Sequence, residues 1–256
     1  MLFDVTADAY GRFMGRYSEP LADQLVAMAG LRATDRVLDV GCGPGALTAR
    51  LVAVAGTGRV TAIDPSSSFV AAVAARLPGV DVREASAEAL PFPDHGFDAT
   101  LAQLVVHFMS DPVAGLREMA RVTRPGGPVV ASVWDHGGGR GPSSPFWRGV
   151  ADVHPGALDE SDPPGSREGH LGQLFEDAGL GDLDETVLTV TVPYESFEEW
   201  WEPYTFGVGP AGAYVDRLDE ADRQRVRAAC AAQLPPAPFE VTASAWTVRG
   251  RAQPPA

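Results

Sequence analysis

Val37-Leu38-Asp39-Val40-Gly41-Cys42-Gly43-Pro44-Gly45 constrains the fold of this chain more than any other stretch. A short apolar run carrying one acid stops at three glycines spaced two apart. Leu47, Leu51 and Val54 then recur at three- and four-residue intervals, the period of an amphipathic helix. The segment reads as strand, tight turn, helix. Glycine has no Cβ, so the backbone can take positive φ and a ligand can lie against the peptide N–H groups. The helix start adds free donors and a partial positive charge. Pro44 gives up an N–H where a helix start can spare it. Such a turn suits a small polar ligand.

Two glycine patterns overlap here. Gly41, Gly43 and Ala46 fit the dinucleotide form G-x-G-x-x-G/A, while Gly41, Gly43 and Gly45 fit a tighter G-x-G-x-G. A second strand, Arg59 to Ile63, ends in Asp64, roughly twenty residues past the glycines. A carboxylate there can accept from both hydroxyls of a ribose. The ligand is therefore expected to carry a ribose, which is true of NAD and of S-adenosylmethionine alike.

Val37 to Gly45 resembles the first motif of the class I S-adenosylmethionine-dependent methyltransferases. Glu88-Ala89-Leu90-Pro91-Phe92-Pro93, followed by Gly96-Phe97-Asp98-Ala99, is similar to that family's segment before the fourth strand. Glu118 to Gly127 resembles its helix and turn entering the fifth. The matching segments run in order from about Leu31 to Trp134, and look most like the small-molecule, ubiquinone-menaquinone type. The resemblance implies an α/β, Rossmann-like, seven-stranded, mostly parallel sheet with helices on both faces and an α-helical lid or insertion. It implies S-adenosyl-L-methionine as cofactor. The expected organisation is a single domain: an N-terminal cap or lid over 1–30, a cofactor-binding core over 31–135, and over 136–256 the rest of the sheet with substrate-roof insertions.

Charge narrows the acceptor. The net charge is −14 over 256 residues, with no lysine in the chain. Phosphate backbones need a basic face, so a nucleic-acid substrate is not expected, nor is binding to anionic membranes. No apolar run approaches the roughly 18 residues of a membrane span, and no secretory signal pattern is visible at the N-terminus. Two cysteines, Cys42 and Cys230, make no disulfide framework. A cytoplasmic protein, in a reducing compartment, is expected. A homodimer is compatible with the sequence. No metal-ligand cluster stands out.

For the cofactor the candidate residues are Asp39, Gly41, Cys42, Gly43, Gly45, Asp64, Pro65, Ser86, Ala87, Gln103 and Tyr10. Asp39 either caps nearby backbone N–H groups or, as the resemblance implies, serves the methionine end of the cofactor. Asp64 is a ribose ligand or a neighbour of the following helix dipole. Family members often have an acid where this chain has Ser86; serine accepts more weakly because it is uncharged, and the Ala87 N–H can contact the adenine in either case. Gln103 follows the end of the fourth strand, where open α/β sheets bind ligands.

For the acceptor the candidates are Tyr17, Trp134, Trp200 and Trp201, with His107 as a proton acceptor. Each has a plain alternative. His107 can be structural, Trp134 can fill core, and the stripe of Phe197, Trp200, Trp201 and Tyr204 can be core packing rather than a roof. Arg16 can meet the cofactor's carboxylate or form a surface ion pair. Residues 136–167, rich in glycine and proline, are expected to be a long irregular cover broken by a short helix near Phe146. The function expected is in-line methyl transfer from S-adenosylmethionine to a small molecule with an apolar or aromatic part, at oxygen, carbon or nitrogen. A non-catalytic S-adenosylmethionine-binding regulator is the alternative, and an NAD-dependent oxidoreductase a more distant one. The additional Gly45 and the Leu90-Pro91-Phe92 and Arg124-Pro125-Gly126-Gly127 segments count against the last.

Overall fold

The computed structural model describes residues 11–157, 160 and 162–254. Helix α1 (Arg16–Ala29) leads into β1 (Val37–Val40), whose four residues are all buried. Burial on both faces is what a central parallel strand requires. The chain continues through α2 (Ala46–Ala55), β2 (Val60–Asp64), α3 (Ser67–Arg76), β3 (Asp81–Glu84) and β4 (Ala99–Gln103). Then come α4 (Pro112–Val122) and β5 (Pro128–Trp134). Asp111 starts α4, its carboxylate accepting the Ala114 N–H at 2.9 Å, with Pro112 in the first turn.

The second half adds α5 (Ser144–Val153), α6 (His170–Asp177) and β6 (Gly181–Tyr194). It closes with α7 (Phe197–Trp201), α8 (Gly209–Asp216), α9 (Glu220–Ala232) and β7 (Phe239–Arg251). One seven-stranded sheet results, in the order β3-β2-β1-β4-β5-β7-β6. Every pair is parallel except those made by β7, which runs antiparallel to both β5 and β6. This is the α/β, Rossmann-like arrangement expected, with strand order reversing between β1 and β4. Ligand sites of open α/β sheets lie outside the carboxyl ends of the strands at that reversal.

Several boundaries differ from the sequence expectation. The first helix begins at Arg16, behind a wide turn over Gly11–Gly15, and carries Pro20 inside it. Phe13, Tyr17, Leu21 and Leu25 step by four residues and are all buried, so packing carries the helix back past the proline. The glycine-rich stretch after β5 is not loose. Asp135 is fully buried, and its carboxylate accepts the Gly138 N–H at 2.8 Å and a bond from the Arg140 guanidinium. Gly137 N–H donates to Ser166 and Ser244 N–H to the Arg140 carbonyl, tying the segment to β7. The short helix expected near Phe146 spans ten residues. Helix α8, rich in glycine and alanine, was not foreseen.

Of the apolar clusters that pack on the sheet, two are the largest. One fills the space under α4 and α6. The other is aromatic: Phe13, Tyr17, Trp134, Phe146, Trp200, Trp201 and Tyr204 join the inward faces of β6 and β7 to α5, α8 and α9. Phe146 and Tyr204 stack at 4.7 Å, and Trp200 lies 4.8 Å from Tyr204. Among the described residues no helix is long and apolar enough to cross a membrane.

Gly149 of α5 meets α9 so closely that an added Cβ would sit 2.6 Å from the Cys230 sulfur and 2.7 Å from its backbone nitrogen. Gly149→Ala is expected to cost about 1–3 kcal/mol, the usual penalty of overpacking. Urea unfolding should show a lower midpoint at unchanged slope; a wild-type midpoint would disprove the tight contact.

Candidate functional site

At the carboxyl end of β1 the chain turns away through Gly41 and Gly43. Gly41 and Cys42 both donate their N–H to the Ile63 carbonyl, at 2.8 and 2.9 Å, locking the turn to β2. Gly41 has φ +70°, and a Cβ there would lie 2.5 Å from Val105. Gly45 opens α2 with φ +92°. Both conformations strongly favour glycine over residues with a side chain. The Asp64 carboxylate secures the turn from the next strand: one oxygen accepts the Gly43 N–H at 2.9 Å, the other the Ser66 N–H at 2.8 Å. Asp64 is buried, and that burial raises its pKa against the lowering effect of these two bonds.

A cleft of about 320 Å³ opens beside this turn. Asp39, Gly41, Cys42, Gly43 and Gln103 line it, with Ser18 of α1 on the far wall. Asp39 is buried, and one of its oxygens accepts the Thr48 hydroxyl at 2.6 Å. Its other oxygen has no partner, and neither have the Gln103 side-chain carbonyl and the Ser18 hydroxyl. The Gln103 amide donates to the Ser18 carbonyl at 2.8 Å, holding α1 against the end of β4. Three buried oxygens without partners thus line one cleft, each able to accept a hydrogen bond. Unpaired buried acceptors are costly unless a ligand's donor meets them. Burial pushes Asp39 up to about 7, opposed by the Thr48 hydroxyl.

A second cleft, of about 480 Å³, lies on the other side of Leu104, which lines both. Leu104 holds φ +62°, a left-handed conformation rare for a leucine. Phe13, Met14, Phe108, Trp134, Val208 and Ala211 supply apolar wall, and His107, His136, Ser143 and Glu160 supply polar groups. The His107 ring lies 3.8 Å from Phe108 and 5.9 Å from His136. Desolvation and, second, the neighbouring His136 push His107 down to about 3, so the ring is neutral at physiological pH.

The residues expected from sequence therefore divide. Asp39, Gly41, Cys42, Gly43 and Gln103 line the first cleft, and Asp64 holds its turn. Gly45 caps α2 and Pro65 is exposed just after Asp64. The Ala85 N–H donates to the Asp64 carbonyl, bringing Ser86 and Ala87 to the same end of the sheet. Ala87 is buried; Ser86 is exposed, and its hydroxyl donates to Glu88. Cys42 packs its sulfur against Ala62 and Val73, and burial raises its pKa. His107 and Trp134 line the second cleft. Tyr17, Trp200 and Trp201 do not. They belong to the aromatic body beneath it, where the Tyr17 hydroxyl pairs with that of Tyr194 at 2.8 Å. Arg16 forms an ion pair with Glu199 at 2.7 Å. Tyr10 lies outside the described residues.

Sequence reasoning missed Ser18, Thr48, Leu104, Ser143 and Glu160. Ser18 lies in the mixed helix start Arg16-Tyr17-Ser18-Glu19, where a serine gives only a weak signal. A leucine in a left-handed conformation leaves none.

The sheet order, the glycine turn and the acid ending β2 resemble those of class I S-adenosylmethionine-dependent methyltransferases. Residues 38–131 match the family model described as a methyltransferase domain. The 27-O-demethylrifamycin SV methyltransferase of Amycolatopsis mediterranei is 41% identical over 113 residues, covering 42% of this chain and 41% of that protein. The ubiquinone/menaquinone biosynthesis C-methyltransferase UbiE of Bdellovibrio bacteriovorus is 37% identical over 111 residues, covering 42% of this chain and 47% of the other. The chain spans about half the length of the curated relatives it matches. Among solved structures, the Haloferax volcanii putative methyltransferase in complex with the Trm112 activator aligns with a TM-score of 0.60 at 19% identity, over 98% of this chain and 95% of that one. That likeness establishes the fold.

Asp39 gives a pH signature in the ligand-free protein. Its folded pKa, about 7, exceeds the unfolded value of about 3.9. The folded state therefore holds the extra proton on Asp39, and this residue's contribution to stability is fully present below about pH 4 and is lost as pH climbs through 7. Asp64 shifts in the same direction. Asp39→Asn should remove this falling component, so that between pH 4 and 7 the variant's stability curve slopes upward relative to wild type. Chemical denaturation across that range checks this; an unaltered slope would refute the buried titration.

Proposed function

We propose that this chain transfers the methyl group of S-adenosylmethionine to a small acceptor bound in the larger cleft. The observation that carries the reading is the pair of clefts meeting at Leu104, one lined by buried acceptors without donors, the other mainly apolar. A ligand bearing an ammonium and a ribose suits the first. The free Asp39 oxygen, with Gln103 and Ser18, would hold the ammonium of the methionyl end. Asp64 would accept from the ribose hydroxyls with the lone pairs its two N–H bonds leave. Ser86 and the Ala87 N–H would meet the adenine.

S-adenosylmethionine, when bound, supplies an electrophilic methyl on a sulfonium, so the protein's task is alignment and exclusion of water. Leu104, held in its left-handed conformation, would set the approach between the clefts. Phe13, Met14 and Trp134 would keep water from the acceptor. Burial disfavours the imidazolium of His107, so this ring acts as a hydrogen-bond partner for the acceptor rather than as a base with a pKa near neutrality. An apolar or aromatic acceptor fits that wall, and the net charge of −14 supports a small molecule over a nucleic acid.

Calorimetric titration of S-adenosylmethionine into wild type and Asp64→Ala tests the reading. Binding should weaken at least about tenfold in the variant, since a hydrogen bond to a charged group contributes roughly 1.5–3 kcal/mol. No heat with wild type would overturn the assignment. Binding without turnover on any acceptor would favour a non-catalytic binder.

A further inference from the structure

Among the described residues the larger cleft carries one carboxylate among its apolar walls. Glu160 lines it, and one carboxylate oxygen accepts both the Trp147 indole N–H at 2.7 Å and the Ser143 hydroxyl at 2.9 Å. Both donors come from α5 or the residue before it, so a regular element fixes where this charge sits. The other oxygen is engaged by neither donor. Among the described residues no arginine lines the cleft, and the chain has no lysine. His107 supplies no charge, because burial keeps its ring neutral. His107 Nδ1 and the Trp134 indole N–H are also buried without partners.

We propose that Glu160 selects the acceptor: the cleft takes a flat, non-anionic molecule whose O–H or N–H donates to this carboxylate, and rejects carboxylates and phosphates. An anion entering the cleft would lose its hydration beside a like charge that two donors hold in place. A hydroxyl or ammonium meets the opposite conditions, because bonds to a carboxylate are the stronger, charge-assisted kind. A hydroxyl oxygen can in addition accept from a buried donor, as the Trp134 N–H requires. Phe13, Phe108 and Trp134 offer ring faces and edges to a flat body. The inference rests on reading this cleft as the acceptor site.

Three probes share one ring and differ in head group: 2-naphthol, 2-naphthylmethylamine and 2-naphthoate. Each is titrated by calorimetry into the full chain, with and without S-adenosylhomocysteine, and then into Glu160→Gln. The naphthol and the amine should bind wild type at least about tenfold more tightly than the naphthoate, the scale of one close like-charge contact. Glu160→Gln, similar in shape but uncharged, should bring the naphthoate to within about threefold of the naphthol. Ser143→Ala, which leaves the carboxylate in place, should keep the wild-type ranking and decides the matter if the glutamine variant does not fold. Naphthoate binding as tight as naphthol, no binding of any probe, or an unchanged ranking in Glu160→Gln would overturn the proposal. The expected ranking without any heat from S-adenosylhomocysteine would sink the methyltransferase reading and leave the selectivity of the cleft standing.

Discussion

The carboxylate of Asp64 joins two strand-to-helix turns that are separate in sequence. It accepts one N–H from the glycine turn after β1 and another from the turn after β2. With the paired bonds from Gly41 and Cys42 to Ile63, this fixes both turns at the carboxyl edge of the sheet. Asp39 stays buried with one oxygen unpaired because the turn beside it is held in this way. A backbone that sagged by an ångström could satisfy Asp39 internally, and the cleft would lose its reason to take up a donor. The charge that organises the site is thus engaged in structure before any ligand arrives.

Much of this was readable in the chain. The apolar run of β1, the three glycines and the acid ending β2 specify strand, turn, helix and strand through local rules, and the structure follows them. Asp39, Asp64 and Gln103 were legible because each occupies a motif position at a strand end. What escaped depended on packing between distant segments. Trp200 and Trp201, for which roof and core were both open, are buried in the aromatic body because Phe146 of the distant α5 stacks on Tyr204 of the same stripe. Glu160 follows a stretch that reads as irregular, and only the placing of α5 brings Trp147 and Ser143 to it. The order imposed by Asp135 was equally hidden, since a glycine-rich run gives no sign that a buried carboxylate will gather it.

The two clefts divide the chemistry between them. One concentrates hydrogen-bond acceptors and the other apolar surface, and Leu104 is the partition. A left-handed leucine is sterically costly, by about 1–3 kcal/mol for residues held in such regions, and the surrounding packing must offset it. The N-terminal segment serves both sides, Ser18 facing the smaller cleft and Phe13 and Met14 the larger. Closure of both clefts is therefore linked to where α1 lies.

That helix is held along the outermost strand. Arg16 and Gln24 donate to the carbonyls of Pro193 and Thr189, and Tyr17 meets Tyr194. Strand β6 is fourteen residues long and ends the sheet, the kind of unpaired margin on which a second chain can build by strand addition. Side chains from α1 occupy two of its outward carbonyls, and acids at Asp182, Asp184 and Glu185 charge its opposite end. The same helix that walls the clefts also blunts the growing edge of the sheet, so its loss would open the protein to polymerisation as well as to solvent.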